Sequence, residues 1–95
     1  MANEKRIRLH GFVTGRVQGV GFRYFTQQTA NEIGITGWVK NTYDGKVEFV
    51  AEGTEGQLKL FQRYLSRGPS SANVRDLSVD ELAATEEFQS FHVRF

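Results

Sequence analysis

The 95-residue chain contains no cysteine. That excludes a disulfide framework, a thiolate nucleophile and a sulfur-ligated metal, and it fits a cytoplasmic setting. No apolar run approaches the roughly 20 residues a membrane span needs, so no membrane partner is expected. The opening stretch, MANEKRIRLHG, has charge but lacks the apolar segment of a secretory leader. Net charge is only +1, so nothing global points to nucleic acid. No linker, low-complexity stretch or internal repeat interrupts the chain. What is present is ordinary for a globular protein, with 39% hydrophobic and 24% charged residues. That is enough for one core, one domain over residues 1–95 and, by expectation, a monomer.

The charge is unevenly spread. Residues 1–47 carry seven Lys/Arg against three Asp/Glu, and residues 48–95 carry five against eight. An anionic ligand is therefore expected in the first half, unless the imbalance is chance.

Apolar residues alternate over 6–14, with Ile7, Leu9 and Val13 on one face and Arg6, Arg8 and His10 on the other, which reads as a half-buried strand. Residues 23–33 read as a helix with Phe22, Phe25, Thr29 and Ile33 on one side and Gly34 as its stop. Ile35, Gly37 and Val39 face inward on a second strand; Tyr43-Asp44-Gly45 makes a turn, and Val47, Phe49 and Ala51 face inward on a third. Thr54 and Gln57 have capping-box spacing. The helix behind them buries Leu58, Phe61 and Leu65 and ends at Gly68-Pro69. A fourth strand carries Val74, Leu77 and Val79, and Phe91, Val93 and Phe95 alternate on a short fifth.

The order β-α-β-β-α-β plus a tail strand predicts an α+β fold, the ferredoxin-like split sandwich, with an antiparallel sheet and two helices on one face. In that topology strands one and two run the same way with strand three between them. Their C-terminal ends share an edge, about 10 Å apart. The loop 15–22 and the neighbourhood of Asn41 can therefore share a ligand.

Gly15, Gly19 and Gly21 let successive N–H groups converge on an anion, and the loop feeds a helix N-terminus. Arg23 adds a guanidinium fork that suits phosphate or carboxylate. An arginine in a first helical turn opposes the helix dipole, a conflict that a bound anion removes. The alternative is a tight strand-to-helix turn with a solvated arginine. Named phosphate motifs do not fit. The Walker pattern finds Val20 at its second glycine, and the dinucleotide pattern finds Tyr24 at its third. A Cys-x5-Arg phosphatase loop would begin at Val17. Any hydrolysis here must use water directly. Asn41 can hold such a water, because an amide both donates and accepts; otherwise it is a turn residue. His10 and His92 read as surface histidines away from this edge, and Asp76, Asp80 and Glu81 as a solvated face. No metal site and no cofactor is expected.

GRVQGVGFR joined to GWVKNTYDGKVE resembles the acylphosphatase family, and the likeness continues through GPSSANV at 68–74 and FHVRF at the C-terminal end. The resemblance implies a ferredoxin-like fold and hydrolysis of the carboxyl-phosphate bond of small acyl phosphates, without metal or covalent intermediate. By motif it implies that Arg23 binds the phosphate and that Asn41 positions the water. Backbone amides of Gln18, Gly19, Val20, Gly21 and Phe22 complete the cradle, which would also take inorganic phosphate or sulfate. Lys40 stands where arginine is frequent, and Tyr43 where other residues are common. Both bear on substrate preference. Because the leaving group is a carboxylate, positioning and charge stabilisation suffice. Two rivals remain. GVGFRYF resembles an RNA-recognition core, although Val20 replaces its first aromatic, Gln18 its basic residue, and the segment precedes a helix. The other is a phosphate- or carboxylate-sensing domain without turnover.

Overall fold

The computed structural model describes residues 5–95. Its elements are β1 (Arg6–Arg16), α1 (Phe22–Ile33), β2 (Thr36–Asn41), β3 (Val47–Thr54), α2 (Glu55–Arg67), β4 (Asn73–Ala83) and β5 (Phe91–Arg94). The sheet order is β4-β1-β3-β2-β5. β3 lies between β1 and β2, antiparallel to both, so β1 and β2 run the same way as expected.

One expectation needs correction: the sheet is mixed, because β5 pairs parallel with β2. The reason is geometric. β4 runs antiparallel to β1 and therefore ends where β2 begins. Residues 84–90 cross from that edge to the other, and the chain enters β5 already pointing along β2.

The alternating residues of the strands supply one wall of the core. Leu9, Val13, Val39, Val47, Phe49 and Ala51 are buried against Phe22 and Ala30 of α1 and Leu58, Phe61 and Leu65 of α2. Phe61 packs edge-on between Phe49 and Phe91, with ring centroids 5.5 and 5.9 Å away. Truncating such a residue to alanine typically costs about 3–5 kcal/mol. The capping box forms as read: Thr54 Oγ1 accepts from the Gln57 N–H at 3.2 Å, and Gln57 Oε1 accepts from the Thr54 N–H at 2.9 Å. Gln57 Nε2 also donates to the Ile33 carbonyl at 3.2 Å, tying the start of α2 to the end of α1. Phe95 does not continue the fifth strand as expected. It lies beyond the last β5 residue and is fully exposed. No helix in the described residues is long and apolar enough to cross a membrane.

Candidate active site

The site sits where β1 hands the chain to α1. The β1–β4 register shifts between Thr14 and Gly15, a bulge that re-aims the strand end. Val17 is buried and anchors the loop. Gly19 and Gly21 have φ of 74° and 79°, left-handed conformations that a side chain would resist. Gly21 is the N-cap of α1 and has no side chain with which to cap it. The helical ladder opens with the Phe25 N–H donating to the Gly21 carbonyl at 3.0 Å. The amides of Phe22, Arg23 and Tyr24 precede that bond and sit at the positive end of the helix.

Across from the loop, Asn41 ends β2 and stands level with Val47 of β3, which is in turn level with Val13 of β1. Its Oδ1 is buried and accepts no hydrogen bond from the described residues. A buried acceptor without a donor is costly, on the order of 1–3 kcal/mol, and such groups are uncommon away from functional sites. The turn behind Asn41 is well tied. The Thr42 N–H donates to the Lys46 carbonyl at 2.8 Å, and the Thr42 hydroxyl accepts from the Lys46 N–H at 2.9 Å. The Thr42 hydroxyl also lies 2.5 Å from Asp44 Oδ1. That hydrogen bond, with help from the Lys46 ammonium, holds the Asp44 carboxyl below its ordinary pKa.

Gln18 joins the two halves. Its Nε2 donates to the Thr42 carbonyl at 2.8 Å and to the Lys46 carbonyl at 2.7 Å. One side chain thus fastens the glycine loop to the turn that follows Asn41. The sequence reading considered only its backbone amide.

Loop, helix and strand ends enclose a cavity of about 460 Å³. Gly19, Gly21, Phe22, Arg23 and Asn41 all line it, so the two expected side chains and most of the expected cradle come together. Gln18 and Val20 do not contribute to the lining. The Val20 side chain packs against the core, and its carbonyl accepts from the Ser71 hydroxyl at 2.9 Å. The Arg23 guanidinium lies over the Phe95 ring, 4.7 Å from its centroid, and Nη1 donates to the Arg94 carbonyl at 3.4 Å. Arg23 forms no ion pair with a carboxylate in the described residues.

The far wall was not expected. Tyr24 and Gln27 of α1 and His92, Val93 and Phe95 at the end of the chain also line the cavity, and Gln27 Nε2 donates to the Phe91 carbonyl at 3.4 Å. His92 was placed away from this edge; the parallel pairing of β5 sets it level with Trp38 and beside the site. The usable signal was Tyr24 and Gln27, one helical turn apart on the polar side of α1. His10 does lie elsewhere, on the sheet face opposite the helices, 2.6 Å from Glu48 Oε2. Among the described residues no cluster of His, Cys, Asp or Glu is arranged to hold a metal ion.

Comparison with known proteins bears directly on this geometry. The acylphosphatase family model matches residues 9–93. The chain belongs to the acylphosphatase family. The acylphosphatase of Trichormus variabilis is 49% identical over 88 residues, 93% of this chain and 86% of that one. That of Pseudomonas paraeruginosa is 52% identical over 77 residues, 81% of this chain and 85% of its own length. The crystal structure of the acylphosphatase from Bacillus subtilis matches with a TM-score of 0.90 at 42% identity, covering 94% of this chain and 99% of that one. These likenesses support an acylphosphatase enzyme on a ferredoxin-like fold.

Proposed function

We propose that the protein hydrolyses the carboxyl-phosphate bond of small acyl phosphates, releasing carboxylate and inorganic phosphate, by direct attack of water. The observation that carries the reading is that Arg23, in the first turn of α1, and Asn41, whose buried Oδ1 accepts no hydrogen bond from the described residues, line one cavity. Family membership supports the reaction class.

Arg23 and the loop backbone amides on the cavity, those of Gly19, Gly21 and Phe22, hold the phosphoryl oxygens and neutralise their charge. The Asn41 amide, able both to donate and to accept, holds the water and turns one of its lone pairs toward phosphorus. The new P–O bond forms as the P–O bond to the acyl group breaks, and its electron pair leaves on a carboxylate that needs no proton at neutral pH. The water's proton ends on phosphate or in solvent. Positioning and charge stabilisation carry the step, as is usual for phosphoryl transfer. The charge is met by Arg23 and the amides, so the step as written calls for no metal ion. We assign the activity to one domain, acting as a monomer. The cysteine-free composition favours a cytoplasmic setting.

The test is release of phosphate from benzoyl phosphate by purified protein in excess chelator, with 4-nitrophenyl phosphate as a monoester control. Rapid hydrolysis of the acyl phosphate alone is expected. Tight phosphate binding without turnover would instead favour a sensing domain, and activity that needs an added metal would refute the mechanism.

A further inference from the structure

Glu52 is a carboxylate that the site description leaves unexplained. Alternation along β3 puts Val47, Phe49 and Ala51 toward the helices, so Glu52 belongs to the opposite, polar-reading face. It is nevertheless fully buried. Its cover is the crossover 84–90 that carries the chain from β4 to β5. Glu52 Oε2 accepts from Arg8 Nε at 2.7 Å and from the Thr85 N–H at 2.9 Å, and Oε1 accepts from the Glu86 N–H at 3.0 Å. Glu86 has φ of 60°, the only positive value on a described non-glycine residue. Arg6 and Arg8 add outer ties, from Arg6 Nε to the Glu86 carboxylate at 3.0 Å and from Arg8 Nη2 to Thr85 Oγ1 at 2.7 Å. The crossover is thus pinned at its start by a buried carboxylate.

The strand it delivers is short and holds the site. β5 has four residues and one neighbour, β2. It starts level with Gly37, whose N–H donates to the Ser90 carbonyl at 3.0 Å, and reaches Lys40 at Arg94. Both contacts of the Arg23 guanidinium, the Arg94 carbonyl and the Phe95 ring, come from the end of this segment. The path from latch to site is one continuous run of chain, residues 86–94, whose last part, β5, spans about 10 Å.

Building on the reading of Arg23 above, we propose that Glu52 is a positioning residue: by fastening Thr85 and Glu86 it sets how β5 lies on β2, and through Arg94 and Phe95 it aims the Arg23 guanidinium into the cavity. A latch that acts this way affects phosphate binding more than the water, because Asn41 is held by its pairing with Val47 of β3, on the side of β2 away from β5.

The experiment compares the parent with Glu52→Gln, which keeps the shape and loses the charge. Should that variant not fold, Arg8→Gln opens the same latch from its other side and takes its place. Hydrogen exchange at the β5 amides is expected to quicken by about tenfold, with the amides of β1 and β3 near parental protection. Calorimetry with inorganic phosphate is expected to show affinity weakened by about tenfold, and acyl phosphate kinetics to show KM raised by more than kcat falls. Uniformly faster exchange, or loosened β5 amides with unchanged phosphate affinity, would overturn the proposal and leave Glu52 a stabilising residue only. The exchange readout does not depend on activity, so a parent that fails to hydrolyse acyl phosphates would refute the proposed reaction and leave the latch to be judged on exchange and phosphate affinity.

Discussion

Replacing Gln18 with alanine cuts the side-chain hydrogen bonds that link the glycine loop to the turn after Asn41. Two hydrogen bonds go, at 2.8 and 2.7 Å, and two partly buried carbonyls lose a donor. At a net worth of about 1 kcal/mol per bond, the loss is about 2 kcal/mol. For a domain of this size each kcal/mol moves the midpoint by about 4–8 °C, so Tm should fall by about 8–16 °C. The kinetic effect follows from the same geometry. In the proposed mechanism the loop supplies the amides and the turn fixes Asn41, so their relative placement sets the line from water to phosphorus. A small misplacement of this kind costs up to about 100-fold in rate. The effect should appear in kcat/KM even well below the new Tm. Gln18→Glu should be worse than alanine, because it sets a carboxylate against two carbonyl oxygens. Thermal unfolding and steady-state kinetics on both variants are the assay. A Gln18→Ala protein within about 2 °C of the parent, with parental kinetics, would refute the coupling.

The remaining predictions concern charge. Inorganic phosphate or sulfate should raise Tm by the linkage RT ln(1 + [L]/Kd), about 1.4 kcal/mol at roughly ten times Kd, and Arg23→Ala should abolish the rise; an unchanged rise in that variant would put the anion elsewhere. Burial pushes the Glu52 carboxyl upward, but hydrogen bonds from the Thr85 amide, Arg8 and the Glu86 amide outweigh it and hold the pKa below its ordinary value of 4.5. Its contribution to stability is therefore whole above about pH 4.5 and is lost as pH falls through the folded-state value. Denaturant melts should show Glu52→Gln less stable than the parent at pH 7, with the gap closing toward pH 3; a gap that stays constant with pH would refute the assignment.

Much of this was legible in the residues because local periodicity and site chemistry agreed. Ile7, Leu9 and Val13 alternate as Val47, Phe49 and Ala51 do, and those strands pair side by side with Leu9 level with Ala51 and Val13 with Val47. Thr54 and Gln57 mark the start of α2, and Gly34 the end of α1. Arg23 and Asn41 could be placed on one edge because topology alone puts the ends of β1 and β2 side by side. The β5 wall could not be placed in the same way. A four-residue strand carries little periodic signal, and its direction depends on where the crossover goes, which is a tertiary matter. Glu52 shows the same limit. Alternation assigns it correctly to the polar face, but only the crossover laid over it makes that position buried. Phe95 alternates with Phe91 and Val93, yet the strand ends before it and leaves it exposed. Gln18 hid its role because a side chain that reaches residues 42 and 46 leaves no mark within its own loop.

The central claim is a division of labour: Arg23 holds the phosphate and Asn41 holds the water. The most direct measurement is calorimetric phosphate affinity beside steady-state acyl phosphate kinetics for Arg23→Ala and Asn41→Ala. Asn41→Ala should lose on the order of 10²–10³ in kcat while binding phosphate as tightly as the parent, and Arg23→Ala should lose both. An Asn41→Ala protein that turns over at close to the parental rate, or that loses phosphate affinity in proportion to its activity, would contradict the account.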